Sequence, residues 1–209
     1  GGGTGYWPGN YSNAGVSETS TTGTIKTLVH ELGHNFGLDH AAEAYCQKDL
    51  GACEQNSVGD ATDVMGYGQN YGYYNPAYKE RLGWFDTAVG KVYRQVVTSS
   101  GIYTIQRYTA GAHAPEVLKV LVAQAGGNAL TYYISHRRGI GFDQLLTQDS
   151  LFQMAPTVHM GLDNSTASNL LGTENKVRAG PFGPGFWPIA PFYISGGTNR
   201  SLAPGKVYR

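Results

Sequence analysis

A chain of 209 residues with 41% hydrophobic residues can bury one substantial core or two small ones. Fifteen basic and fifteen acidic residues cancel to a formal net charge of zero, which gives no reason to expect nucleic acid or an anionic membrane as partner. Charged residues at 14%, set against 30 Gly and 15 Tyr, favour turns, strands and long loops over helical bundles, and without a run of about 18 apolar residues no membrane span is expected.

The chain opens Gly1-Gly2-Gly3, with neither Met nor a charged-then-apolar leader, as expected of a processed or incomplete chain. Residues 1–23 read as a short strand or loop around Tyr6-Trp7 followed by polar connecting backbone. From Thr24 the pattern turns helical. Ile25, Leu28, Val29, Leu32 and Phe36 fall on one stripe that is expected to pack on a core, while His30 and His34 project nearly opposite it, towards a cleft. Gly37 should end the helix, because it takes up the left-handed conformation without a steric cost.

Residues 41–74 read as a long irregular segment holding Cys46, Cys53 and the sequence Asp63-Val64-Met65-Gly66-Tyr67. A second helix is predicted from the Asn75 cap and Pro76, burying Tyr78, Leu82 and Phe85 and ending near Gly83-Trp84. After Asp86 the pattern changes to short alternating runs at 91–97, 101–106, 117–122 and 130–135, as in an antiparallel β-sandwich. The fold class expected is therefore α+β, with a boundary near residue 86 between a first unit, 1–86, and a β-sandwich domain, 87–209. The stretch 179–191, rich in Gly, Pro and aromatics, reads as an extended loop.

Chemistry concentrates at 30–40, where HELGHNFGLDH fits HExxHxxGxxH at every fixed position. Two His at i and i+4 on one helix face can hold a single Zn2+, a Gly turn returns the chain so that a third His completes the set, and the fourth position stays open for water. His30, His34 and His40 are thus the candidate metal ligands and Glu31 the candidate catalytic base. Five fixed positions coincide by chance on the order of once in ten thousand chains of this size. Histidines hydrogen-bonded on a surface helix would leave the Gly and the third His unexplained, and structural zinc sites are normally closed by four protein ligands. His113, His136 and His159 read as ordinary surface or strand residues, and Asp39 as a solvated turn residue.

With Met65 following 25 residues after His40, the motif resembles the metzincin metalloproteases. The run HELGHNFGLDHA, the Cys pair, GDATDVMG and NPAYKERLGW resembles the gametolysin family within that clan, best over 1–86 and more weakly at 101–105 and 131–143. The resemblance implies an extracellular zinc endopeptidase acting on proteins or glycoproteins, with Met65 as a hydrophobic base beneath the ligands. In related metzincins a Tyr two residues after that Met reaches the metal or the tetrahedral intermediate. Tyr67 is the candidate here, with a packing role as the alternative.

Only 29 residues precede His30, where a metzincin has a full subdomain. The expectation is that 1–86 is the C-terminal part of such a domain, with the rest supplied by a longer protein or another chain, or lost. Cys46 and Cys53, seven apart, are expected to form a disulfide, with buried free thiols as the alternative reading. Together with sequons at Asn10, Asn164 and Asn199 they point to a secreted protein. A glycosylated structural component that keeps the zinc fold without proteolysis is the rival function.

Overall fold

The structure is a computed structural model that describes residues 3–5, 17–19, 25–46, 53–60, 62–66, 72–85, 93–108, 114–125, 128–148, 156–162 and 168–172. Helix α1, Ile25–Asn35, carries the first two histidines of the motif. It closes with Gly37 at φ 83°, where Gly37 N donates to His34 O at 2.9 Å and Leu38 N to Gly33 O at 3.0 Å. This pair of bonds is the Schellman closure, which satisfies orphan helix carbonyls and turns the chain sharply back. Helix α2, Pro76–Arg81, follows the expected signals. The Asn75 side chain caps it by accepting from Tyr78 N at 3.1 Å, and Gly83 at φ 70° closes it in the same manner, through Gly83 N to Glu80 O and Trp84 N to Lys79 O.

Two short strands, β1 (Gly3–Gly5) and β2 (Ser17–Thr19), pair antiparallel and lie against α1. The segment expected to be irregular contains a hairpin of β3 (Ala41–Cys46) and β4 (Cys53–Asn56). Ala-Ala-Glu-Ala has no period-2 alternation to announce a strand; β3 is held by neighbours on both sides, β4 antiparallel and the distant β9 parallel. Strands β5 (Arg94–Val97), β6 (Val117–Ala125), β7 (Asn128–Ser135), β8 (Thr157–Leu162) and β9 (Ser168–Gly172) complete a seven-stranded sheet of order β4-β3-β9-β8-β7-β6-β5. A 3-10 helix at Gly141–Gln148 follows β7.

This topology corrects the expected division at residue 86. Strands from both sides of that position share one sheet, which is mixed because the β3/β9 and β5/β6 pairs are parallel, so the described part of 87–209 is not a separate antiparallel sandwich. Alternation within a strand reports which face is buried and not which strand lies beside it, so the parallel crossovers were invisible in the sequence. The run at 101–106 forms no strand.

Packing on the two faces positions the site. One face of the sheet gathers Tyr132 and Val158 with Val120, Ile134 and Met160. On the other, Phe85, Tyr108, Val117 and Tyr133 pack with Tyr73, Tyr93 and Ala77 of α2. A third cluster, Leu38, Ala41, Val64, Met65, Tyr74 and Tyr78, lies beneath α1. The apolar stripe of α1 behaves differently from expectation. Of that stripe Val29 packs on this cluster and Leu32 is half-buried, but Ile25, Leu28 and Phe36 are exposed, and the buried residues of the helix are Glu31, Gly33 and His34, because the helix turns its histidine side towards the protein.

A candidate metal centre

Helical geometry stacks His30 and His34 one turn apart, and the closure at Gly37 brings His40 back against both. Ring centroids lie 5.0 Å apart for His30 and His34, 5.2 Å for His30 and His40, and 4.9 Å for His34 and His40. One ligand nitrogen from each lies within 4.8 Å of the other two, a cradle of the size that holds one ion. His30 Nδ1 donates to Val64 O and His34 Nδ1 to Leu38 O, each at 2.9 Å. A carbonyl can only accept, so both rings carry their proton on Nδ1 and keep the Nε2 lone pair for a metal.

The electrostatics favour the same state. Burial, with the neighbouring His34, His40 and Lys26, pushes the His30 imidazole down to about 4 despite its bond to Val64 O; burial likewise lowers His40. Neutral imidazoles are the form that binds metal. Glu31 lies between the two helical ligands with only 6% of its surface exposed. Burial raises its carboxyl above the ordinary range, and His34 partly offsets that rise.

The turn at 62–66 supports the cluster from below. Met65 is wholly buried, and a Cβ placed on Gly33 would come 2.2 Å from its sulfur, so the thioether lies against the α1 backbone between the two helical ligands. Asp63 Oδ1 accepts from Met65 N at 2.6 Å, and its Oδ2 accepts from Asn75 N. Burial and the nearby Asp60 charge push the Asp63 carboxyl up. Lys26 Nζ reaches Gly66 O at 3.4 Å, Tyr74 Oη donates to Val29 O at 2.8 Å and Tyr78 Oη to Asp39 O at 2.7 Å, tying both flanks of the motif to the same core.

With this geometry in place, comparison with known proteins decides the family: the family model described as gametolysin peptidase M11 matches residues 3–178. The chain belongs to the gametolysin peptidase family. It is therefore a metallopeptidase, whose substrates are proteins, and the three-histidine cluster is where its chain offers a metal site. Searches of curated proteins and of solved structures returned no match.

Within this gametolysin-like chain the structure brings His30, Glu31, His34, His40 and Met65 together. Tyr67, His113 and the sequons at Asn10, Asn164 and Asn199 lie outside the described residues. Cys46 and Cys53 stand directly opposite each other in the β3/β4 register. No helix among the described residues is long and apolar enough to cross a membrane. His159 is a strand residue, one of the two expected alternatives, but is fully buried on β8, with Nε2 at 3.0 Å from Asp60 Oδ2. Sequence reading also passed over Asp60 and Asp63, although two acids in the short, Gly-flanked run GDATDVMG are a signal of carboxylates bonded to their own turn.

A cavity of about 530 Å³ opens beside the first turn of α1, lined by Ile25, Val29, Val64, Tyr74 and Trp84 among others. The metal cluster does not line it. Its polar groups include Lys79, whose ammonium sits 4.1 Å from the Tyr108 ring centroid and is lowered to about 8 by burial and by the Arg137 charge.

Proposed function

We propose that this chain is a zinc-dependent endopeptidase that hydrolyses peptide bonds in extracellular proteins or glycoproteins, with His30, His34 and His40 holding the metal and Glu31 as general base. The observation that carries the reading is the convergence of three imidazoles with Nδ1 of two of them tied to backbone carbonyls. Three neutral nitrogen donors without a fourth protein ligand are the donor set of catalytic zinc. When bound, zinc supplies Lewis acidity, lowering the pKa of water and polarising a scissile carbonyl.

The remaining steps belong to side chains. Glu31, buried and raised in pKa, accepts a proton from the attacking water and delivers it to the leaving amine. Met65 fixes the height of α1, with His30 and His34 on it, above the turn. Met65 here has the role of the metzincin Met-turn, and Tyr67 is proposed as the group that assists the oxyanion. Secretion, glycosylation at Asn10, Asn164 and Asn199 and a Cys46–Cys53 disulfide belong to the same proposal, supported by the sequons and by the opposed register of the cysteines. No observation among the described residues favours a catalytically silent structural component.

Glu31→Gln tests the reading. It keeps the shape and removes the base, so zinc per chain and the circular dichroism spectrum should stay at wild-type values while peptide hydrolysis falls by about 10²–10⁴-fold. His34→Ala should lose the metal itself. A Glu31→Gln protein that retains full activity would remove the mechanism, and a zinc-loaded wild type that cleaves no protein would leave the structural reading standing.

A further inference from the structure

Among the described residues, the longest-range hydrogen bond to a side chain of the segment beneath the metal site joins Asp60 to His159, 99 positions away. Both side chains are completely buried. An ionised carboxylate can only accept, so the His159 ring presents Nε2–H to Asp60 Oδ2, and its Nδ1 has no partner among the described residues. Among the described residues, the hydrogen bonding of this ring is therefore directed at Asp60.

Asp60 in turn organises the backbone on which two of the three ligands rest. Its Oδ1 accepts from Thr62 N at 2.8 Å and from Thr62 Oγ1 at 2.6 Å, which folds the chain into the turn. Asp60 N donates to Ala41 O at 3.1 Å, and Ala41 N donates to Met65 O at 3.0 Å. Ala41 directly follows His40, so the position of that ligand is set by bonds at both ends of the turn. Between them Val64 O holds the His30 ring through Nδ1. The turn is also closed without slack, since a Cβ on Gly66 would come 1.7 Å from Asp60 O. The His34 ring is held differently, its Nδ1 donating to Leu38 O within the closure of its own helix.

We infer that His159 is a positioning residue for the metal centre: through Asp60 it fixes the turn at 62–66, whose Val64 O orients the His30 ring and whose Met65 O holds the backbone next to His40. Strand β8 thereby reaches the site without touching metal or substrate. This rests on the three-histidine metal reading and adds to it a role for a residue from the far part of the sheet. An alternative, that His159 only fills the core, demands a side chain of the right volume and no N–H at that point.

The experiment separates volume from hydrogen bonding in the full chain, with Co2+ as probe. His159→Leu fills the space without a donor; His159→Gln places an amide N–H where Nε2 stood; His159→Asn places one short of it. Cobalt absorption reads the geometry of the three-histidine site, and competition with a chelator reads zinc affinity. His159→Leu and His159→Asn should each weaken zinc binding by about 10–100-fold, the range for losing an outer-shell partner, and alter the cobalt spectrum, while His159→Gln restores both. If His159→Leu does not fold, the Asn and Gln pair alone decides. Wild-type zinc affinity and cobalt spectrum in His159→Asn, with only a lower melting temperature, would overturn the positioning role and leave the metal site intact. A wild type that binds no cobalt would overturn both.

Discussion

The candidate metal-binding segment and the polar cluster beneath it draw on the same kinds of side chain under opposite conditions. His30, Glu31, His34 and His40 lie within eleven residues, and two of the histidines are only half-buried, as a reactive centre needs if lone pairs are to stay free for a metal and a substrate. Asp60, Asp63, Tyr108, Arg137, Asp143 and His159 come from five separate stretches of chain and are all buried. There, charge is tolerable only because it is answered. Arg137 Nε donates to Asp143 Oδ2 at 2.9 Å and its Nη2 to Asp143 Oδ1 and Tyr73 O, while its guanidinium carbon lies 5.4 Å from the Tyr108 ring centroid. The difference teaches how one chain treats polar groups in two ways: those of the candidate site are left open towards a ligand, while the buried charges below are held by ion pairs and hydrogen bonds such as Arg137 with Asp143 and His159 with Asp60.

The largest break in that contrast comes from Arg137→Met. The substitution keeps much of the apolar stem and strands the Asp143 carboxylate in the interior, beside the turn that Asp63 and Asp60 hold. Removing one partner of a buried pair typically costs about 3–5 kcal/mol, and urea unfolding should show a loss of that size. The double variant Arg137→Met with Asp143→Leu should regain most of it, since an apolar pair leaves no uncompensated charge. A single variant as stable as wild type would show that the cluster does not underpin the site.

The two regions also differ in how far the sequence disclosed them. The candidate ligands, the candidate base, the closing Gly37 and the capped second helix were readable because each depends on residues a few positions apart, through helix periodicity, capping and left-handed turns. Three of the later strands, β5, β6 and β7, were anticipated in part as alternating runs, while β8 and β9 were left unmarked, and what could not be read was how the strands pair. Nothing in Ala41–Cys46 announces a parallel neighbour at Ser168–Gly172, and nothing near His159 names Asp60 as its acceptor. The stripe of α1 was legible as a pattern, yet Val29 packs on the core while Ile25, Leu28 and Phe36 are exposed, because periodicity finds an apolar face without saying what covers it.

A smaller effect is expected at the β3/β4 hairpin, which links the two regions in sequence. The opposed register of Cys46 and Cys53 suits a cross-strand disulfide closing a short loop, worth about 2–3 kcal/mol on the chain-entropy account. Cys46→Ser should lower stability by that amount under oxidising conditions and by nothing measurable under reducing ones. Two free thiols titrated in the unreduced, denatured protein would refute the bond.

The smallest effect, and the one that separates the two regions most cleanly, is acid sensitivity of the metal-free protein. His30 falls from its ordinary 6.5 to about 4 in the folded chain, with burial the largest cause. Between these values the unfolded chain takes up a proton that the folded one refuses, so this residue lowers stability as pH falls from about 6.5 to about 4, and contributes no slope above. His40 acts in the same sense. Asp60 answers in a different window: burial alone would raise its carboxyl, yet the His159 charge, the bonds from His159 and Thr62 and the Arg137 charge hold it below its ordinary 3.8. Its contribution is present above 3.8 and is lost only as pH falls below that value, through the depressed pKa of the folded state. Asp63 and Glu31, both raised, oppose the histidines, since protonation in the folded state favours it as pH drops. The comparison must therefore be made by difference. Urea unfolding of the metal-free wild type against His30→Gln, across pH 4 to 7, should show the wild type losing stability relative to the variant on the acid side of 6.5 and a constant difference above it. A difference that stays level down to pH 4 would mean that His30 is not held neutral by its surroundings, and would remove the electrostatic argument that the cluster is prepared for a metal before the metal arrives.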